Sequence, residues 1–251
     1  MTDADSIETV CCHMIDACKL VRDLERATEW CLRVRDIATR FADRQMFSIC
    51  RTAYADVLLW HGDWARAEEE LTAAVDELGA LWPGRDVDPL ARLAELRRRQ
   101  GRTGEAEELL ARVESHRFHA LLVGLLALDR GDAGTALDAS ARFLRRVGDA
   151  DRFERVAGLD LMVGAAVAAG DESSARGAAD EIAAIAAACP NAPLRAAALF
   201  AEGRVAGAAA DAATACPLLE GAADLFDAVE VRLQHLDGGY SVCFVAARSQ
   251  G

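Results

Sequence analysis

The sequence predicts an all-α protein, an α-solenoid of about six antiparallel helical hairpins, and three observations predict it. A turn residue is followed five positions later by an alanine at Gly62/Ala67, Gly101/Ala106, Gly131/Ala136, Gly170/Ala175 and Gly207/Ala212, with a further copy at Arg22/Ala27. These turns stand 40, 39, 30, 39 and 37 residues apart, and a period in that range marks stacked supersecondary units. The composition agrees, because 52% of the 251 residues are apolar and only five are proline, while alanine and leucine, both strong helix formers, abound.

The elements follow in order. Ile7, Val10, Cys11, Met14, Cys18 and Val21 recur at helical spacing before the first turn, and Ala27, Trp30, Cys31, Val34 and Ile37 do so after it, which predicts a hairpin over 7–20 and 24–40. The second hairpin, 45–60 and 64–81, turns at Gly62, the residue that adopts a left-handed backbone most cheaply, and Asp63 caps its second helix. Trp82, Pro83 and Gly84 end it. The remaining hairpins are read over 87–99 and 103–114, 118–129 and 133–147, 153–169 and 172–188, and 193–206 and 210–229. The alanine after each turn faces the preceding helix, where a larger side chain would force the pair apart. These units form one repeat domain over 1–236. Beyond it, Gly238 and Gly239 break the helical pattern, and the alternating stretch Tyr240, Val242, Phe244 and Val245 leaves 237–251 as a tail or cap.

Composition narrows the function classes. A formal charge of −13 argues against direct nucleic-acid binding, whose affinity comes from clustered cations. The run Arg97, Arg98, Arg99 with Arg102 is read as a solvated face paired with Glu95, Glu105 and Glu107, the other reading being a clamp for a peptide carboxylate. No apolar run reaches the roughly 18 residues of a membrane span, and the N-terminus lacks a basic segment before an apolar one. The chain is therefore expected in the cytoplasm, with its eight cysteines reduced.

A search for catalytic chemistry returns little. Lys19 is the sole lysine, so a phosphate-binding loop of the G-x-x-x-x-G-K-[ST] kind is absent, as are G-x-S-x-G, H-E-x-x-H and G-x-G-x-x-G. Neither an enzyme nor a cofactor is expected. Cys11, Cys12 and His13 point about 100° apart on a helix and cannot converge with Cys18 on one metal ion. His116 and His119, one turn apart, are read as solvent-facing, and His61 as a cation at a helix C-terminus. No metal site is expected.

The stretches Cys50–Leu78 ("CRTAYADVLLWHGDWARAEEELTAAVDEL"), Ala91–Val113 ("ARLAELRRRQGRTGEAEELLARV") and Leu159–Ala188 resemble tetratricopeptide repeats. More narrowly, they resemble the repeat region of actinobacterial LuxR-family regulators, in which an ATPase domain precedes the repeats and a helix-turn-helix follows. The resemblance covers about residues 7–230. It departs from the family in showing neither the ATPase nor the arginine- and lysine-rich helix pair that would read DNA, so it matches the sensory or scaffolding arm, standing alone or as part of a longer regulator.

That resemblance implies that the first helix of each hairpin lines a groove. The positions so assigned include Asp16 and Lys19, Thr52 and Asp56, Glu95 and Arg98, Phe118, Leu121 and Leu125, then Asp160 and Arg204. The expected function is a non-enzymatic interaction module associated with transcriptional regulation that holds a protein segment. A small apolar effector held by the Phe118, Leu121, Leu125 and Leu128 wall is the alternative, and an enzyme using Asp56, Glu95 or Asp160 as acid or base is the third. Monomer and homodimer are both left open.

Overall fold

A computed structural model describes residues 10, 13–19, 23–42, 44–81, 84, 86–149 and 151–227. Among them the fold is all-α, with no strand. Twelve helices run as α1 (13–19), α2 (Leu24–Arg40), α3 (Arg44–His61), α4 (Trp64–Leu81), α5 (Val87–Arg99), α6 (Thr103–Ala111), α7 (His119–Asp129), α8 (Ala133–Val147), α9 (Arg152–Ala169), α10 (Glu172–Ala188), α11 (Ala192–Ala208) and α12 (Ala212–Asp227). The first turn, around Arg22, and the tail 237–251 lie outside the described residues, as do Cys11 and Cys12.

The chain divides into two compact units, Met1–His119 and Ala120–Gly251. In the first, α2, α3, α4, α5 and α6 pack in sequence, and α3 also packs directly on α5. In the second, α8 to α12 do the same, and α9 packs on α11. Contacts between helices two apart bring the first helices of successive hairpins side by side. That is solenoid stacking, in which each hairpin buries its apolar face on the next. Val34, Leu58, Leu71 and Leu96 fill the first unit's core, and Leu159, Val163, Ile182 and Val205 fill that of the second.

One turn motif repeats throughout. The amide of the residue after the turn donates five residues back: Asp23 to Cys18, Asp63 to Leu58, Arg102 to Arg97, Asp132 to Ala127, Asp171 to Ala166 and Asp211 to Ala206, at 2.8–3.0 Å. This is the bond of a Schellman cap, and it needs a left-handed residue between the helices. Gly62, Gly101, Gly131 and Gly170 supply it with φ of 74 to 78°. The aspartates then cap the following helices: Asp132, Asp171 and Asp211 accept from the amides of Thr135, Ser174 and Thr214 at 3.0–3.1 Å, and Asp63 accepts from Arg66 at 3.4 Å.

The last copy corrects the expected register. Gly207 is not the turn: α11 runs on through Ala208, and the left-handed residue is Ala210, with φ of 59°. The alanine five positions later is thus Ala215, which is fully buried, like Ala27, Ala67, Ala106 and Ala136. Among the described residues five turn-to-alanine spacings therefore hold, and in the last an alanine carries the glycine's conformation. A second correction concerns α6, which ends at Ala111 rather than near 114. Its last amides tighten into shorter bonds, Arg112 to Leu109 and Val113 to Leu110, and the tightening turns Val113 into the core.

Glycine also allows close helix approach in the second unit. A Cβ on Gly158 would lie 2.5 Å from the Phe143 ring, and one on Gly203 would lie 2.8 Å from Leu219. Arg155, on α9, donates to the carbonyls of Leu144 and Gly148 at 3.3 and 3.2 Å and to Glu181 at 2.6 Å, so it satisfies the exposed end of α8 while tying α9 to α10.

Candidate binding site

In the first unit, α1, α3 and α5 each carry one charged residue at the same level. Asp56, on α3, is buried, with a side chain only 7% exposed; it takes Lys19 Nζ of α1 at 2.8 Å and Arg92 Nη1 of α5 at 3.2 Å. Burying a carboxylate is costly unless it is paired, and here it has two cations. Burial alone would push the Asp56 carboxyl up, but Arg92 and Lys19 overcome that and hold it below the usual carboxylate range.

The network continues outward. Arg92 Nε lies 3.9 Å from Asp88 Oδ1, which in turn receives His116 Nε2 at 3.1 Å. The other imidazole nitrogen, Nδ1, accepts the Phe118 amide at 3.3 Å, which places the ring proton on Nε2. Asp88 is held well below the usual carboxylate range: its partial burial acts against ionisation, and the His116 hydrogen bond and the Arg92 charge outweigh it. Phe118 forms an aromatic wall, with the Arg92 guanidinium 5.2 Å and that of Arg117 4.7 Å from its ring centre, distances at which a cation is attracted to a ring face. His116 is therefore a buried member of an ion network, which corrects the reading of it as solvent-facing.

One turn further along α5, Glu95 accepts from Arg98 Nε at 2.8 Å and Arg99 Nε at 2.7 Å. Burial opposes its charge, but the two guanidinium groups keep it well below the usual range. Arg97 donates to Glu68 of α4 at 2.7 Å. Arg97 and Arg98 are both buried, so the arginine run is packed rather than a solvated face: Arg97 ties α5 to α4, while Arg98 and Arg99 pair with Glu95 of α5 itself. Glu105 does pair with this run, at 3.3 Å from Arg97 and 2.6 Å from Arg102.

The remaining expected groove positions fall into three groups. Thr52 is buried and returns its hydroxyl to the Ser48 carbonyl at 3.3 Å. Phe118 closes the first unit, half-buried; in the second unit Leu121 is buried and Leu125 half-buried on α7. Asp160, on α9, pairs with Arg204 of α11 at 3.2 Å, and Gly164 leaves room for the Arg204 guanidinium, which a Cβ there would strike. The structure thus joins Lys19 with Asp56, Glu95 with Arg98, and Asp160 with Arg204, while Asp16 is exposed on α1.

Sequence reasoning missed Arg92 and did not pair Asp88 with His116. The signal available was local: Arg92 stands four residues after Asp88 and three before Glu95, an arginine flanked by carboxylates on one helical face. The cysteines near this network behave as apolar filler. Cys31 is pushed up to about 12, mainly by burial, which leaves it a protonated thiol of low reactivity.

Among the described residues no group of three or more histidine, cysteine or carboxylate side chains could hold a metal ion, and no helix is long and apolar enough to cross a membrane. A scan against protein-family models finds no match for the chain, and a search of curated proteins finds none either.

Proposed function

We propose that this chain is a non-enzymatic, tetratricopeptide-like interaction module, associated with transcriptional regulation, whose first-helix faces hold a protein segment. The observation that carries the reading is the layer of first helices in the first unit: α3 lies directly on α5, and Lys19, Asp56, Arg92 and Asp88 link α1, α3 and α5. Side chains held by mutual ion pairs form a recognition surface that loses little freedom on binding, which favours affinity. An acid–base role for Asp56 or Glu95 draws no support from the geometry. Each is ion-paired and held low, which leaves little driving force to accept a proton near neutral pH. The regulatory association rests on the resemblance of the repeats.

Native mass spectrometry of the purified chain, followed by selection of random peptides on the immobilised protein, tests this function. Enrichment of a common peptide motif that saturates at one site supports it. A stoichiometric small molecule carried through purification, with no peptide enriched, supports the effector alternative instead.

A further inference from the structure

The connection from α6 to α7 runs over residues 112–118, and two of its side chains are buried, Val113 and His116. Arg112, Glu114, Ser115 and Arg117 are exposed. Val113 therefore anchors the first half of the segment and His116 the second. Backbone bonds hold the chain on both sides of the histidine: its amide donates to the Val113 carbonyl at 2.9 Å, and the His119 amide donates to the His116 carbonyl at 3.0 Å. The ring is engaged at both nitrogens. Nε2 donates to Asp88 Oδ1 of α5 at 3.1 Å, and Nδ1 accepts the Phe118 amide at 3.3 Å. A carboxylate only accepts and a backbone amide only donates, so a single neutral tautomer satisfies both contacts. Asp88 is held well below the usual carboxylate range, so it is still an acceptor where an imidazole titrates.

A second proton, taken from solvent, has one place to go. It must sit on Nδ1, where it meets the Phe118 N–H, and two donors then face each other across what was a hydrogen bond. At Nε2 the effect is the reverse, because the bond to Asp88 becomes charge-assisted on both sides, and such bonds are roughly twice as strong as neutral ones. The ring thus stays with α5 while the Phe118 backbone is released. The Phe118 ring, 5.7 Å from the imidazole and in contact with the Arg92 and Arg117 guanidinium groups, is carried by that backbone. The charged and titratable groups around the imidazole are Asp88 and Arg92 of α5, and Lys19 of α1, which acts on Asp88. Asp86 precedes α5 and pairs with Arg112 at 3.7 Å, and Glu114, Arg117 and His119 flank the ring along its own segment.

We infer that His116 is a proton-operated latch: neutral, it pins the α6–α7 connection to α5 through both ring nitrogens, and on taking up a second proton it keeps Asp88 and releases the Phe118 amide. A protonation of this kind changes local donor–acceptor pairing and has a conformational readout. The latch is independent of what the unit binds.

The intact chain, labelled with ¹⁵N, is titrated with acid from above neutral pH, with NMR spectra following the Phe118 amide and the His116 ring nitrogens together. The Phe118 amide is expected to shift with the midpoint at which the His116 ring titrates. Its protection against hydrogen exchange, corrected for the intrinsic pH dependence, should fall about two- to ten-fold across that midpoint, the range of one ordinary hydrogen bond. His116→Asn keeps an acceptor near the position of Nδ1 but takes up no proton, so both changes should vanish while circular dichroism shows the helices retained. His119→Asn, which leaves both contacts of the His116 ring in place, should preserve both changes and serves as the deciding variant where His116→Asn does not fold. A Phe118 amide that stays fixed while the His116 ring titrates overturns the latch. So does a response that persists in His116→Asn or disappears in His119→Asn, and so does a ring that takes up no proton before the helices unfold.

Discussion

Replacing Gly207 with alanine should stabilise this protein, whereas a turn at Gly207, which the repeat spacing predicts, would make the same change destabilising. Gly207 lies in the last turn of α11, and a methyl added there would meet the Ala215 Cβ at 3.9 Å, an ordinary contact. Glycine to alanine inside a helix contributes up to about 1 kcal/mol, and the position near the helix end reduces this to about 0.5 kcal/mol. The complementary change is Ala210→Gly. Ala210 holds φ at 59°, a left-handed conformation costing an L-residue about 1–2 kcal/mol. Glycine relieves that strain but returns about 0.4–1 kcal/mol through the entropy of the unfolded chain, so the net gain is about 0.5–1 kcal/mol. Gly170→Ala is the control: φ is 74° and nothing lies within 4 Å of the added methyl, so strain alone should destabilise it by about 1 kcal/mol. Equilibrium urea denaturation followed by circular dichroism reads all three as midpoint shifts at constant slope. Loss of stability in Gly207→Ala with no gain in Ala210→Gly would refute the placement of this turn.

Three further expectations concern packing and charge. Ala106→Leu, which puts a large side chain where the alanine is fully buried, should overpack α5 against α6 and lower stability by about 1–3 kcal/mol, and an unchanged melting temperature would contradict the hairpin packing. Asp56→Ala removes the shared partner of Lys19 and Arg92; because both cations keep some solvent contact, the cost should be about 2–4 kcal/mol, below the full figure for a stranded buried charge, and urea denaturation of Asp56→Ala beside Asp16→Asn, which should be near neutral, checks it. The Glu68 carboxyl is lowered to about 2, chiefly by the hydrogen bond from Arg97. A group whose folded value is depressed stabilises the protein above its unfolded value, and the contribution is lost as pH falls through the folded one. Acid titration monitored by circular dichroism should therefore show stability declining between pH of about 4.5 and 2, and Glu68→Gln should flatten that part of the curve; a curve identical to the parent's would count against the Arg97 tie.

Much of the fold was legible in the sequence because its determinants are local. A glycine able to turn left-handed, an aspartate positioned to cap, and an alanine one and a half turns later all act within a few residues, so their spacing marks the hairpins without reference to distant parts of the chain. The same logic misplaced the last turn. Gly207 carries the expected residue type, but the helix passes through it, and the left-handed strain falls on Ala210 next to the capping Asp211. The ion network was only partly legible. Asp16, Lys19 and Asp56 were singled out by their position on the first helices, yet nothing local shows that Arg92 and Lys19 converge on one buried carboxylate, or that His116 turns inward to Asp88. Such pairing depends on which helices stack and at what level, and the burial of Arg97 and Arg98 likewise depends on α4 lying against α5. Helices, turns and caps are thus determined by short-range backbone chemistry and are readable residue by residue, whereas the depth of each charge is decided only when the stacked helices exclude water from one side of the network.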